Sequence, residues 1–133
     1  MDPLPHTEEE WKTRLSPEEY RVLRMKGTEA PWEGVYVDTH EDGMYRCRAC
    51  TTPLFNSDTK FDSGSGWPSF TNPVAVENVG TRIDHSNGME RVEVFCKHCG
   101  SHLGHVFDDG PTEAGGKRYC INSLALDFAK DEN

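Results

Sequence analysis

The residues best able to do chemistry in this chain are its cysteines. Cys47 and Cys50 form one Cys-x-x-Cys pair, Cys96 and Cys99 form a second, and Cys120 stands apart near the C-terminal end. One such pair is a weak signal. Two pairs supply four thiolates, the donor set of a closed tetrahedral zinc site, in which no coordination position is left open and the metal is structural. Each pair follows strand-like sequence, so two zinc-knuckle turns can grip a single ion although they are far apart in the chain. Metal bound this way contributes on the order of 10 kcal/mol to folding. His98, between two of the ligands, is a spare donor that a four-cysteine site does not need, and it is expected at the surface. Two disulfides would fit an oxidising compartment, and a thioredoxin-like redox pair would need a βαβ setting that neither pair has.

Cys120 then needs an explanation of its own. It lies in Arg118-Tyr119-Cys120-Ile121-Asn122-Ser123. Side chains of a strand alternate between faces, which puts Arg118, Cys120 and Asn122 together and Tyr119, Ile121 and Ser123 on the other side. A sulfur between a cation and an amide is a setting for a reactive thiolate, although a free cysteine is more often a small buried hydrophobe. Two other stretches could converge on it. Gly64-Ser65-Gly66-Trp67-Pro68-Ser69-Phe70 presents a tryptophan in a surface loop, and Ser101-His102-Leu103-Gly104-His105-Val106-Phe107 carries two histidines. In an ideal strand His102 and His105 face opposite ways, but Gly104 permits a bulge that could bring both to one site.

The elements that must position these groups can be read in part. Residues 8–15 and 17–26 are expected as two short helices, the second opened by Ser16 as N-cap, Pro17 in the first turn and Glu19 in a capping box, and ended by Gly27. Trp11, Leu15, Tyr20, Leu23 and Met25 are their apolar positions. Residues 27–34 form a loop. From Val35 onward, short β-branched and aromatic runs between turn residues predict antiparallel strands. One hairpin is expected from 34–39 and 44–48, and another from 80–85 and 90–95 around Ser86-Asn87-Gly88. Strands at 101–107 and 118–128 should flank a loop at 108–117. The predicted fold is mainly β, two antiparallel sheets with short N-terminal helices and a pair of zinc knuckles. We expect one domain over 1–133, with a helical segment at about 8–26 and a catalytic β portion at about 34–129.

Composition narrows the partners. The 14 Lys plus Arg against 23 Asp plus Glu leave a formal charge of −9, which argues against nucleic acid and anionic membranes. No apolar run is long enough to cross a bilayer. The polar, acidic N-terminus does not read as a signal or transit peptide, and with an odd cysteine count a reducing cytoplasm is the expected location.

Three motifs together are specific. Ser63-Gly64-Ser65-Gly66-Trp67-Pro68-Ser69-Phe70, His102-Leu103-Gly104-His105-Val106-Phe107-Asp108-Asp109-Gly110-Pro111 and Arg118-Tyr119-Cys120-Ile121-Asn122-Ser123, with the two Cys-x-x-Cys pairs, closely resemble the B-type peptide-methionine (R)-S-oxide reductases. The resemblance runs from about Glu9 to Phe128. It implies a structural zinc on Cys47, Cys50, Cys96 and Cys99, and Cys120 as the nucleophile that attacks the sulfoxide sulfur to give methionine and a sulfenic acid. It also implies that Trp67 packs against the substrate S-methyl group and that His102, His105 and Asn122 orient substrate and water near the oxygen. Arg118 would favour the thiolate, with Phe107 and Asp109 in support. Many members of that family carry a resolving cysteine two residues before the tryptophan, where this chain has Ser65. The sulfenic acid is therefore expected to be reduced directly by thioredoxin, glutaredoxin or a small thiol, with the enzyme a monomer acting on methionine-R-sulfoxide in oxidised proteins. Two other classes are compatible with the zinc alone: an interaction module without activity, and a cysteine-based redox sensor. The first gives Cys120 no role, and the second requires that peroxide oxidise it faster than a sulfoxide does.

Overall fold

A computed structural model describes residues 7–85 and 88–130. The helices form where the caps predict them. Thr7 caps α1 (Glu8–Arg14) through its side chain. Ser16 and Glu19 close a reciprocal capping box on α2 (Pro17–Met25), which ends with Lys26 in the left-handed region. Trp11, Leu15, Val22 and Leu23 are buried, whereas Met25, expected among the packing positions, is 65% exposed. Met25 is the last residue of the helix, next to its C-cap Lys26. Val22 is the core residue that the apolar pattern did not single out.

Among the described residues nine strands follow: β1 (Gly43–Cys47), β2 (Pro53–Asn56), β3 (Lys60–Phe61), β4 (Ser69–Phe70), β5 (Val79–Asp84), β6 (Arg91–Cys96), β7 (His102–Phe107), β8 (Arg118–Ile121) and β9 (Leu126–Lys130). They make two sheets, ordered β2-β1-β9 and β3-β4-β8-β7-β6-β5. All the pairings are antiparallel. Aromatic rings join the sheets: Tyr45 of β1 meets Phe70 of β4 edge-on at 5.1 Å, and Phe55 of β2 stacks on Phe70 at 4.5 Å. Helix α2 lies against β7 and the turn Ser123–Ala125.

Two expectations are corrected. Residues 34–39 form turns, not the first arm of a hairpin with β1. β1 takes β2 and β9 as its neighbours instead. The alternation in Val35-Tyr36-Val37 is that of a side-chain anchor: the Tyr36 amide donates to Ser123 Oγ, its hydroxyl accepts from the Phe128 amide, and its ring meets Tyr45 edge-on, while Val35 is 78% exposed. Residues 118–128 are likewise not one strand. The chain leaves the larger sheet after Ile121, makes a tight helical turn at Ser123–Ala125 and enters the smaller sheet as β9. The expected hairpin from 80–85 and 90–95 is present as β5 and β6, while Ser86 and Asn87 of its turn lie outside the described residues.

Candidate active site

The two Cys-x-x-Cys turns are built alike. Cys47 closes β1 and Cys96 closes β6. After each, an amide four residues on, from Thr51 or Gly100, donates back to the cysteine carbonyl. In each turn the residue after the second cysteine is left-handed, Gly100 with φ 78° and Thr51 with φ 67°. Glycine adopts that conformation freely; a β-branched threonine does so only when its surroundings hold it. The four sulfur atoms lie within 4.8 Å of one another. Cys47 Sγ is 3.7 Å from Cys99 Sγ and Cys50 Sγ is 3.6 Å from Cys96 Sγ. Metal–sulfur bonds of about 2.3 Å in a tetrahedron give sulfur–sulfur edges of roughly 3.8 Å, so the spacing fits a metal ion, and it is far too long for disulfides. His98 is exposed and is not part of the cluster.

Cys120 lies elsewhere, on β8. It pairs with Ser69 of β4 on one side and His105 of β7 on the other. Thr28, Ser65, Trp67, Arg91, Gly104, His105, Phe107, Arg118, Cys120 and Asn122 line a cavity of about 160 Å³ around it. Arg118, Cys120 and Asn122 do share a face, as alternation requires. A β-carbon at Gly104 would collide with the Cys120 carbonyl, so only glycine lets β7 come this close to β8.

The bulge expected at the two histidines is present. On β7, Gly104 stands opposite Val94 and His102 opposite Phe95, which leaves Leu103 as an extra residue. The rings of His102 and His105 come to 5.4 Å, edge to face. They are not equivalent. His105 lines the cavity, with Nε2 2.8 Å from Asp84 Oδ2, which leaves Nδ1 as the ring nitrogen for a ligand. His102 sits behind it, 2% exposed, with Nδ1 2.9 Å from Glu93 Oε2 and Nε2 buried without a partner. Burial pushes the His102 imidazole below its ordinary value, against the pull of Glu93.

Asn122 is committed to the backbone. Its Nδ2 donates to the Leu103 carbonyl at 3.0 Å and its Oδ1 accepts from the Glu29 amide at 3.1 Å. One N–H of the side chain remains for a ligand. Arg118 donates twice to Asp109, at 2.8 Å and 3.2 Å, and its guanidinium stacks over Phe107 at 4.6 Å. Burial pushes the Cys120 thiol up, and Arg118 and a hydrogen bond with Ser65 offset only part of that. The thiol at rest is thus less ionised than free cysteine, although its neighbours favour the anion. Ser65 lines the same cavity and hydrogen-bonds Cys120.

Glu29 is the residue that reading the sequence missed. It is 6% exposed in a segment legible only as a loop. Its amide holds Asn122, its carbonyl accepts the Trp67 indole N–H at 3.0 Å, and its carboxylate accepts the Leu124 amide at 2.9 Å. Trp67 is therefore half-buried and pinned, not a free surface ring. No periodicity marks such a residue, because its work is done mostly through its backbone.

Asp84 and Glu93 were missed for a different reason: both are carboxylates at inward positions of strands, where alternation alone expects an apolar side chain. Burial opposes ionisation of Glu93, but hydrogen bonds from Arg82, His102 and Lys26 outweigh it and hold its carboxyl at about 2. An unfolded glutamate titrates near 4.3. The folded pKa is the lower one, so the stabilisation is fully present above about pH 4.3 and is lost as pH falls toward 2. Thermal melting followed across that window should show the loss in the wild type. Glu93→Gln should flatten the slope and start lower by about 3 kcal/mol, because Arg82 and Lys26 lose the negative charge they pair with; an unchanged acid slope in the variant would count against this assignment.

A mainly β scaffold with four thiols spaced as a metal ion would require, and a fifth cysteine in a separate pocket faced by a tryptophan, a histidine, an arginine and an asparagine, defines the class of protein. Residues 15–130 match the SelR domain, and the chain belongs to that family. Among curated relatives named peptide methionine sulfoxide reductase MsrB, that of Alteromonas mediterranea is 56% identical over 126 residues, covering 95% of this chain and 88% of its own length. The protein of that name from Methanosarcina mazei is 54% identical over 127 residues, covering 96% and 90%. The crystal structure of the Mis18 'Yippee-like' domain shares the fold alone, at TM-score 0.56 and 15% identity, over 70% of this chain and 100% of that one. Among the described residues no helix is long and apolar enough to cross a membrane.

Proposed function

We propose that this chain is a thiol-dependent peptide-methionine (R)-S-oxide reductase. The observation that carries the reading is Cys120 within one small cavity whose lining divides into an aromatic part, Trp67 and Phe107, and a polar part, His105, Asn122 and Arg118. The S-methyl group lies against the indole of Trp67, which Glu29 holds in place, and the sulfoxide oxygen faces His105 and Asn122. The opposite epimer would put its oxygen against the aromatic ring without a hydrogen bond, a cost that gives discrimination.

Cys120 sulfur attacks the sulfoxide sulfur, so that a sulfur–sulfur bond forms as the protonated sulfoxide oxygen leaves as water. Water then attacks the Cys120 sulfur, the sulfur–sulfur bond breaks, methionine leaves, and Cys120 is left as a sulfenic acid. No proton is consumed overall, because the attacking water gives back the proton taken up with the departing oxygen. His105 relays that proton to the departing oxygen. Arg118, fixed by Asp109, and Ser65 stabilise the thiolate as it forms, against the burial that disfavours it at rest. His102 acts through His105, whose ring it supports from behind.

Ser65 leaves Cys120 without a resolving thiol, so thioredoxin, glutaredoxin or a small thiol reduces the sulfenic acid directly, and a reducing cytoplasm is the matching location. The four-cysteine cluster holds one structural zinc, which joins the ends of β1 and β6 and takes no part in the reaction. One monomeric domain carries the whole site. Incubation with each methionine sulfoxide epimer and dithiothreitol tests the reading: the R epimer should be consumed and the S epimer should not, and consumption of neither, or of both alike, would overturn it.

A further inference from the structure

The cavity around Cys120, at about 160 Å³, is smaller than the roughly 300–1,000 Å³ of sites that take whole small molecules. It holds one side chain. A sulfoxide that belongs to a peptide must lay its neighbours outside, and a second groove begins where the cavity stops. That groove, about 330 Å³, is lined by Trp32, Val37, Asp38, Phe61, Asp62 and the 63–67 loop, so Trp67 walls both spaces.

The groove has an unusual feature. Trp32 is 62% exposed and its backbone is left-handed, φ 69°. A bulky aromatic is a rare occupant of that region, and where one is found its surroundings hold it there. Here the Trp32 amide donates to the Gly66 carbonyl at 2.7 Å, and Gly66, itself at φ 93°, packs so closely on Pro31 that a β-carbon would come within 2.6 Å of it. The tryptophan loop and residues 31–32 are thereby locked together, with the Trp32 ring left beside solvent. Two carboxylates share the groove with it. Asp38 and Asp62 are exposed; Asp62 lies 3.8 Å from His40, and Lys60, whose ammonium donates to the Val37 carbonyl at 2.9 Å, also feels the charge of both carboxylates.

We propose that this groove is a subsite for a lysine or arginine adjacent to the methionine sulfoxide in a peptide substrate. The inference rests on the reductase reading. The aliphatic stem of the basic side chain lies on Trp32 and Phe61, and its charged head reaches Asp38 and Asp62, combining a cation–π contact with ion pairing. The net charge of the whole chain, −9, adds a favourable field for such peptides.

Short blocked peptides containing the R epimer, with lysine, alanine or glutamate as the neighbour on each side in turn, provide the test. In the wild type at low salt, kcat/KM for the lysine peptide should exceed that for the alanine peptide by about fivefold to tenfold, with the glutamate peptide lowest. The ratio should fall toward one in Trp32→Ala, in the double variant Asp38→Asn/Asp62→Asn, and in high salt. Equal rates for the three peptides in the wild type, or a lysine preference that survives in both variants, would overturn the subsite while leaving the reductase intact. No turnover of any peptide would overturn the reductase reading and the subsite with it.

Discussion

Cys120→Ser is expected to lose methionine-R-sulfoxide turnover by at least about a thousandfold while the protein keeps its fold. A serine hydroxyl at the same position is a far weaker nucleophile toward sulfur, and no other side chain in the cavity can replace it. Cys120 is only half-buried at the cavity wall, and the exchange of sulfur for oxygen leaves no void, so stability should change by no more than about 1 kcal/mol. A zinc-dependent interaction module would be indifferent to this substitution. Steady-state rates with dithiothreitol, alongside a melting curve, separate loss of chemistry from loss of fold. Retained turnover in a well-folded Cys120→Ser would remove the nucleophile from the account.

Cys96→Ala is expected to have the opposite profile: loss of metal and of the folded state together. Cys96 is fully buried, terminates β6 and faces Cys50 at 3.6 Å, and the cluster joins turns that follow strands of the two different sheets. Structural zinc supplies on the order of 10 kcal/mol in such sites, comparable to the whole 5–15 kcal/mol stability of an ordinary domain. Removing one ligand also leaves three close thiols competing for protons without a cation to balance them. Metal content and thermal melting of the variant check this, with a strong chelator on the wild type as the parallel experiment. A metal-free Cys96→Ala that melts with the wild type would refute the structural role.

What was legible in the sequence differs by kind of signal. The two knuckles and the lone thiol could be read because spacing alone separates four cysteines from one, and the capping box of α2 because its chemistry is local. The histidine pair was legible only as a choice, which the bulge at Leu103 settles by bringing both rings to one side at different depths. Residues 34–39 misled because alternation around Tyr36 looks the same whether the side chain belongs to a strand or anchors a turn. The break after Ile121 was invisible because Asn122, on which it turns, is held by Leu103 and Glu29 from distant parts of the chain. Glu29 itself illustrates the limit: it positions Trp67 and Asn122 through its backbone, and backbone groups leave no mark in a sequence.

The central claim is that Cys120 becomes the sulfenic acid and holds the oxidised state alone. One turnover in the absence of reductant, followed by mass spectrometry of the digested protein, tests this most directly. The account predicts one methionine formed per chain and a single added oxygen on the peptide that contains Cys120, with no disulfide. A disulfide between Cys120 and a cysteine of the four-thiol cluster, or methionine formed with Cys120 unmodified, would contradict it.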